Sequence, residues 1–203
     1  MDGLQEKADI RETVPSDAER LGFVRYHSWM ETYSGLIDAD YLAAQSVAGS
    51  VEIFRKTACQ NVIAVTVNGG IVGFCGFGKY RFDDAAEGCG EIHGIYILRK
   101  YQRLSLGRRL IQEAKARLAA QGYNMVLLWV LNENRSAVAF YEKQGFHFDG
   151  SEKTATLKTP VVERRYACPL CADKTNRLDR IVSGMKENRS FRNLDKSQIG
   201  GIV

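Results

Sequence analysis

The chain has 203 residues, 45% of them hydrophobic and 26% charged, which predicts a globular protein with one sizeable core and room for an appendage. The net charge of +4 is too small to indicate a nucleic-acid-binding surface, and no apolar run approaches the roughly 20 residues that cross a bilayer. The polar N-terminus lacks a secretory signal, and five scattered cysteines favour reduced thiols in the cytoplasm.

The first 80 residues carry a short strand, two helical stretches and a hairpin. Ser16 or Asp17 can cap the first helix, and Ser34-Gly35 interrupts it. Asn68-Gly69 separates two β-rich runs, which is the strongest short signal for a hairpin. In chain order, the predicted elements are a strand at 8–12, a helix with Leu21, Val24 and Trp29 on one face, a helix at 38–57, and strands at 61–67 and 70–77.

The second half begins with a polar connection and continues as strand, helix, strand. The helix is long enough to cross over, so its flanking strands should be parallel neighbours with a right-handed connection. Gly122 stands just past the helix end, and the apolar run that follows is typical of a strand buried on both faces. In chain order, the predicted elements are a strand at 91–98, helix 106–121, strand 125–131, helix 134–144, and strands near 146–152 and 161–168.

These elements predict a mixed α/β fold with a central, largely antiparallel twisted sheet of about six or seven strands and about four flanking helices. Residues 1–170 are expected to form this domain, and residues 171–203 a C-terminal extension that is helical or disordered. Cys168-Pro-Leu-Cys171 is a single CxxC, and zinc would need two further ligands. We therefore expect two incidental thiols and no metal.

The most informative segment is the loop that leads into the helix at 106–121. No acidic residue occurs between Glu91 and Glu113, whereas five basic residues crowd around the loop. A helix N-terminus offers free N–H groups and a partial positive charge, which suit a phosphate. A pyrophosphate-bearing ligand is the functional interpretation, and a solvated positive helix start is the alternative. The basic residues are Arg99, Lys100, Arg103, Arg108 and Arg109.

Two motifs resemble signatures of the GNAT superfamily of N-acetyltransferases. Residues 102–107 (QRLSLG) resemble its pyrophosphate loop, [RQ]xxGx[GA], and residues 134–146 (NRSAVAFYEKQGF) resemble its NxxAxxFYxxxGF signature. The order of the elements over residues 8–168 is also the family's. This resemblance implies the GNAT fold, with a splayed parallel strand pair, and acetyl-CoA as the cofactor. Ser105 replaces the first loop glycine, and its hydroxyl could help to cap the helix.

The resemblance also implies which residues hold the cofactor. The backbone of Ile95 and Ile97 would pair with the pantetheine arm, because splayed strands leave polar groups that need partners. Asn134 would orient the cofactor or serve only as a helix cap. The expected cofactor-binding residues are Ile95, Tyr96, Ile97, Gln102, Arg103, Leu104, Ser105, Leu106, Gly107, Arg108, Asn134, Ala137 and Tyr141.

Amide formation requires a base for the protonated amine and an acid for the departing thiolate. Glu91 and His93 lie two residues apart on one strand and should therefore share a face. The resemblance makes Glu91 the first choice for the base and His93 the second, with a structural glutamate as the alternative. Tyr141 falls at the family's general-acid tyrosine, and the alternative is an aromatic residue that only packs.

Residues 27–38 (HSWMETYSGLID) resemble the WxxTYxGL segment of a GNAT branch that includes polyamine and other small-amine acetyltransferases. The resemblance places an acceptor amine against Trp29, Tyr33, Glu91 and His93, with Glu31 and Asp38 as further contacts by cation–π interaction or charge pairing. Packing of Trp29 and Tyr33 against the sheet is the alternative.

The leading expectation is an enzyme that transfers acetyl from acetyl-CoA to the primary amine of a small molecule. A protein acetyltransferase acting on an N-terminal or lysine amine shares the same motifs. A catalytically silent acyl-CoA sensor is the third alternative, against which the presence of both Glu91 and Tyr141 argues. A homodimer formed through edge strands or the tail is a further expectation.

Overall fold

A computed structural model describes residues 7–85 and 87–170, which form a seven-stranded sheet with helices on both faces. The strand order is β1-β2-β3-β4-β5-β7-β6, and every neighbouring pair is antiparallel except β4 and β5. This confirms the predicted mixed α/β fold and its parallel pair. The strands are β1 (Ala8–Glu12), β2 (Val62–Val67), β3 (Gly70–Lys79), β4 (Cys89–Ile97), β5 (Met125–Leu131), β6 (His147–Leu157) and β7 (Thr159–Pro169).

The described residues contain five α-helices, none of which has the length and apolar character of a membrane span. Two short 3-10 turns precede α1 and α4. The expected extension at 171–203 lies outside the described residues. The helices are α1 (Ala18–Tyr33), α2 (Ala39–Ala43), α3 (Val47–Lys56), α4 (Leu106–Ala120) and α5 (Arg135–Lys143).

The single helix predicted at 38–57 is wrong, because two caps divide that stretch into α2 and α3. Asp38 accepts a hydrogen bond from the N–H of Tyr41 at 3.0 Å and starts the first helix. Ser46 has extended backbone angles, and its side chain accepts from the N–H of Gly49 at 3.0 Å. An N-cap residue lies outside the helical region of φ and ψ, so a new helix begins there.

Local signals elsewhere gave correct turns. Asn68 and Gly69 both have positive φ, at 50° and 82°, as a two-residue hairpin turn of the I′ kind requires. Gly122, just past α4, has φ 94°. Asp17 does occupy the N-cap position of α1, but its carboxylate binds the N–H of Val14 and the guanidinium of Arg11 instead of capping the helix.

Two apolar cores, one on each face of the sheet, hold the helices in place. Helix α4 packs on one face through Leu110, Ile111 and Leu118, which are at most 1% exposed. Helices α1 to α3 cover part of the other face. The first of them approaches α3 so closely at Gly22 that a Cβ there would lie 2.4 Å from Val51 Cγ2.

Two irregularities in the sheet shape the region between β4 and β5. The register of β3 against β4 shifts so that Gly94 pairs with Gly76 and Ile92 with Phe77, which leaves His93 as the extra residue of a β-bulge. Strands β4 and β5 pair over only three residues, ending at Glu91 and Leu127. Beyond that point β4 pairs with β3 and β5 with β7. The two parallel strands therefore separate into a wedge, as predicted.

Candidate active site

The loop before α4 has a strained backbone that presents free N–H groups. Arg103 and Ser105 both have φ 61°, in the left-handed region that costs a non-glycine residue about 1–2 kcal/mol. The first helical hydrogen bond runs from the N–H of Arg109 to the carbonyl of Ser105, so the N–H groups before it have no acceptor within the helix. The Ser105 hydroxyl makes no capping bond, contrary to expectation, because the left-handed backbone does not place it as an extended N-cap would.

Three of the five basic residues around this loop have other partners. Arg109 reaches the carbonyl of Ala8, at 2.9 Å, and Arg99 binds the backbone and carboxylate of Glu31. The Lys100 ammonium lies 4.7 Å from the centre of the Tyr101 ring. Arg103 is exposed, and Arg108 lines a separate surface depression with Lys115 and Lys143. Arg103 and Arg108 are therefore the basic residues best placed to meet an anion at the start of α4.

A cleft of about 420 Å³ opens between the loop, the start of α5 and the end of α1. Asn134 lies at its α5 side and caps that helix, since its Oδ1 accepts a hydrogen bond from the N–H of Ala137 at 3.2 Å, while its contact with a cofactor stays a prediction. Its Nδ2 is buried and has no hydrogen-bond partner among the described residues. The lining residues are Glu31, Thr32, Ser34, Leu36, Arg99, Gln102, Glu133, Asn134, Arg135 and Ser136.

The free edge of β4 faces the wedge. The N–H of Leu98 points to β3, where it donates to the carbonyl of Val72, so the backbone groups of Ile95 and Ile97 point the other way, towards β5. The Gln102 side chain donates to the carbonyl of Ile97 at 3.1 Å. One of the four groups expected to pair with a cofactor therefore already has an intramolecular partner.

Tyr141 is fully buried, yet its hydroxyl has no hydrogen-bond partner among the described residues. Burial raises the pKa of this phenol well above its usual range, and Cys75, Tyr33 and Tyr96 nearby add to the effect. The ring also packs edge-on against Phe146, with centroids 5.6 Å apart. The side chain thus packs in the core and still holds a proton that it can donate.

Glu91 is 1% exposed and bound by an arginine that the sequence did not indicate. Arg81 donates to its carboxylate from the backbone N–H, Nε and Nη2, at 3.1, 3.0 and 2.6 Å. His93 lies beside it, with Nε2 4.0 Å from Glu91 Oε2, as the shared face predicted. Burial, with Arg81 adding to it, lowers the pKa of His93 to about 4, so the imidazole is neutral at pH 7.

A second buried carboxylate, also absent from the sequence-based predictions, belongs to Glu163 on β7. It is 1% exposed, and the Lys153 ammonium lies 3.3 Å from its Oε2. Burial raises the pKa of Glu163, and the nearby Glu91 adds to this, while Lys153 and Arg81 oppose it. The alternation of Val161, Glu163 and Arg165 on the inward face of β7 is the signal that could have revealed it.

The aromatic residues expected to meet an acceptor lie in the core. Trp29 is 4% and Tyr33 1% exposed, and their rings pack with centroids 4.8 Å apart. The indole Nε1 of Trp29 is buried without a partner among the described residues. Asp38 caps α2, as described above, whereas Glu31 lines the cleft. The structure therefore shows packing for both rings and leaves their contact with an acceptor as a prediction.

The sequence profile of the acetyltransferase (GNAT) family matches residues 17–146, well over half of the chain. Among curated proteins, the chain is 28% identical over 134 residues to YuaI of Bacillus subtilis, described as an uncharacterized N-acetyltransferase. The matched region covers 66% of this chain and 76% of that relative.

Solved structures with the same fold include two that contain coenzyme A or its acetyl form. The PaiA N-acetyltransferase of Thermoplasma acidophilum, solved with coenzyme A, is 19% identical, with a TM-score of 0.62 over 80% of this chain and 99% of that one. YncA of Salmonella typhimurium, solved with its cofactor acetyl-CoA, is 15% identical, with a TM-score of 0.63 over 81% of this chain and 95% of that one. At these identities the likeness establishes the fold.

Proposed function

This chain belongs to the acetyltransferase (GNAT) family, and on that premise we propose that it transfers acetyl from acetyl-CoA to the primary amine of a small, polyamine-like molecule. Glu91 is the proposed general base and Tyr141 the proposed general acid. The observation that carries this assignment is the Tyr141 hydroxyl, which is buried, protonated and without a partner among the described residues. A buried polar group without a partner is costly, so it is expected where a ligand completes the site.

The residues around the wedge fit acetyl-CoA. Two buried donors on one helix, the Tyr141 hydroxyl and Asn134 Nδ2, lack partners among the described residues, and the Ile95 backbone faces the open edge of β4. The N–H groups that begin α4 suit a pyrophosphate, with Arg103 and Arg108 close in sequence. When bound, acetyl-CoA supplies the acetyl group as an activated thioester. The sequence-predicted cofactor residues from Ile95 to Arg108 and from Asn134 to Tyr141 keep that role in the proposal.

Proton removal is assigned to the Glu91 side of the wedge. Arg81 holds the Glu91 carboxylate in one orientation through three hydrogen bonds. Neutral His93, 4.0 Å from Glu91 Oε2, lies within reach of a relay through one water molecule. The amine proton thus passes to Glu91 directly or by way of His93.

Proton donation is assigned to Tyr141. A phenol that burial keeps protonated at neutral pH can hydrogen-bond a developing thiolate and then transfer its proton. Because its ring is held by Phe146 and the surrounding core, the hydroxyl oxygen has little freedom to move, while its O–H bond can still turn towards a ligand.

A thiol-release assay with an acceptor panel tests this function. Purified protein and acetyl-CoA are mixed with monoamines, diamines, polyamines, and peptides that carry a free N-terminus or a lysine. We expect amine-dependent release of free CoA thiol with a small amine, and a product 42 Da heavier, the mass that acetyl adds. Turnover with peptides alone would favour a protein acetyltransferase, and binding of acetyl-CoA without any turnover would favour a sensor.

A further inference from the structure

An ammonium group is already held on the sheet face that carries Glu91, and it belongs to the protein itself. Lys153 Nζ lies 4.2 Å from the ring centre of Phe82 and 4.3 Å from that of Trp129. It also lies 3.3 Å from Glu163 Oε2. Two aromatic faces and one carboxylate are the groups that recognise an alkylammonium ion.

The carboxylate of this cage is incompletely satisfied. Glu163 is 1% exposed, and neither of its carboxylate oxygens has a hydrogen-bond partner among the described residues, although the Lys153 ammonium lies 3.3 Å from Oε2. A buried ionised oxygen without a donor costs free energy, and one additional N–H group would relieve that cost. A ligand ammonium has the same three N–H donors as Lys153 but is not attached to β6, so it can direct them to both oxygens of Glu163.

Glu91, the neighbouring buried carboxylate, receives more hydrogen bonds than Glu163. Arg81 binds both oxygens of Glu91 and adds its backbone N–H. Lys153, by comparison, approaches one oxygen of Glu163, and its own side chain is 31% exposed. Of the two cations, Lys153 is the one that an incoming ammonium can replace without opening a bidentate pair.

We propose that Glu163, Phe82 and Trp129 form an ammonium subsite that Lys153 occupies until a second, non-reacting nitrogen of the acceptor displaces it. This inference rests on the proposed amine acetylation. The subsite favours a protonated nitrogen, because carboxylate and ring faces all stabilise the cation, whereas the reacting amine must be neutral. The subsite lies near the proposed base on the sheet, because Leu127 on β5 pairs with Glu91, and Trp129, two residues further along β5, forms one wall of the subsite. The acceptor class is therefore a diamine or polyamine.

A purely structural role for the pair makes different predictions. Lys153 and Glu163 are directly opposite on β6 and β7, and opposite charges in such positions stabilise a sheet. If that were their whole role, replacing either residue would lower stability and change the acetylation of monoamines and diamines equally. Comparing a monoamine with a diamine of the same chain length therefore distinguishes the structural role from the ammonium subsite.

The first experiment compares 1,4-diaminobutane with n-butylamine, which has the same chain length and lacks the second nitrogen. In wild-type protein kcat/KM should favour the diamine by about tenfold or more, as expected for a charge-assisted contact. Glu163→Gln should remove most of that preference by raising KM for the diamine alone. Lys153→Met should lower KM for the diamine, since the internal competitor is gone. Glu152→Gln, a change of the same kind on the exposed neighbour of Lys153, should leave the preference intact.

The second experiment needs no turnover. The chain has two tryptophans, so Trp29→Phe leaves Trp129 as the sole indole reporter, and a parallel titration of the wild type controls for the loss of Trp29, an expected acceptor contact. Titration with 1,4-diaminobutane should give a saturable change in its emission that Glu163→Gln abolishes. A wild-type enzyme that acetylates monoamines and diamines equally, with no saturable change, would overturn the subsite and leave the acetyltransferase intact. Saturable binding without acetylation of any amine would sink the proposed function and keep the subsite.

Discussion

The two faces of the sheet differ in what they bury. The α4 face buries almost only apolar side chains, with the Tyr141 hydroxyl as the exception that matters for chemistry. The opposite face is apolar under α1 to α3, but beyond them it buries the charges of Glu91, Glu163 and Arg165. Burying paired charges is often no better for stability than burying apolar groups of the same size. The first face therefore contributes mainly to the stability of the fold, and function is expected at the Tyr141 hydroxyl within it and at the charged end of the second face.

The largest effect should come from Tyr141→Phe, which removes one oxygen from the apolar face. We expect turnover to fall by about 10²–10⁴-fold, the range for loss of a general acid, with KM for acetyl-CoA little changed. Stability in the absence of ligand should be unchanged or higher, since a buried hydroxyl without a partner is lost. Steady-state kinetics and denaturant unfolding of the same preparation check both points. A destabilised variant with normal turnover would mean that the residue only packs.

The next effect should come from Glu91→Gln on the charged face. Turnover should fall by about 10²-fold, and the remaining activity should shift to higher pH, where more of the amine is already neutral. The variant should also be less stable, by about 1–3 kcal/mol, because the partly buried Arg81 loses its charged partner. A pH profile of kcat/KM identical to that of the wild type would remove Glu91 from the role of base and leave it as the partner of Arg81.

His93 should make the stability of the fold depend on pH. The pKa of His93 is lowered to about 4 in the folded state, so below pH 6.5 the unfolded chain binds a proton at this imidazole that the folded protein does not. The protein therefore has its full stability above about pH 6.5 and loses part of it as the pH falls towards 4. This loss should amount to about 2 kcal/mol between pH 7 and pH 5. Between pH 7 and pH 5 the unfolding free energy of the wild type should therefore fall by about 2 kcal/mol more than that of His93→Gln. Equal slopes would show that the imidazole titrates normally in the fold.

The smallest effect should come from Ser105→Gly in the loop before α4. Glycine removes the left-handed strain at φ 61°, but it also gives the unfolded chain more freedom, so the net gain in stability should be below about 1 kcal/mol. Affinity for acetyl-CoA, measured by calorimetry, should be equal or tighter. Weaker binding would mean that the Ser105 hydroxyl contacts the ligand.

Elements with local signals were predictable from the sequence. The hairpin at Asn68-Gly69, the limits of β5 and the end of α4 before Gly122 follow from turn chemistry and apolar patterning. The break between α2 and α3 was not predicted, because it depends on a single N-cap residue, Ser46. Strand β6 extends to Leu157, five residues beyond its predicted end, because polar residues alternate along an exposed edge and resemble a loop.

The site was predictable only where a motif spans it. Gln102 to Gly107 and the segment from Asn134 to Tyr141 are contiguous, so their roles could be expected from the sequence. The partners of the two buried carboxylates could not, because Arg81 lies in a polar connection and Lys153 on an edge strand. Each of these ion pairs joins two residues that are ten apart in sequence, Arg81 with Glu91 and Lys153 with Glu163. The register of the paired strands, which the β-bulge at His93 also shifts, decides which side chains come into contact in this way.

A crystal structure of the protein with acetyl-CoA would test the proposed roles of Tyr141 and Glu91 together. In that structure we expect the pyrophosphate on the N–H groups of residues 103–107, and Tyr141 Oη within about 3.5 Å of the thioester sulfur. Glu91 should lie on the open side of the acetyl carbon, where an amine would approach. A bound cofactor whose sulfur lies away from the wedge between β4 and β5, with the Tyr141 hydroxyl still without a partner, would contradict these roles.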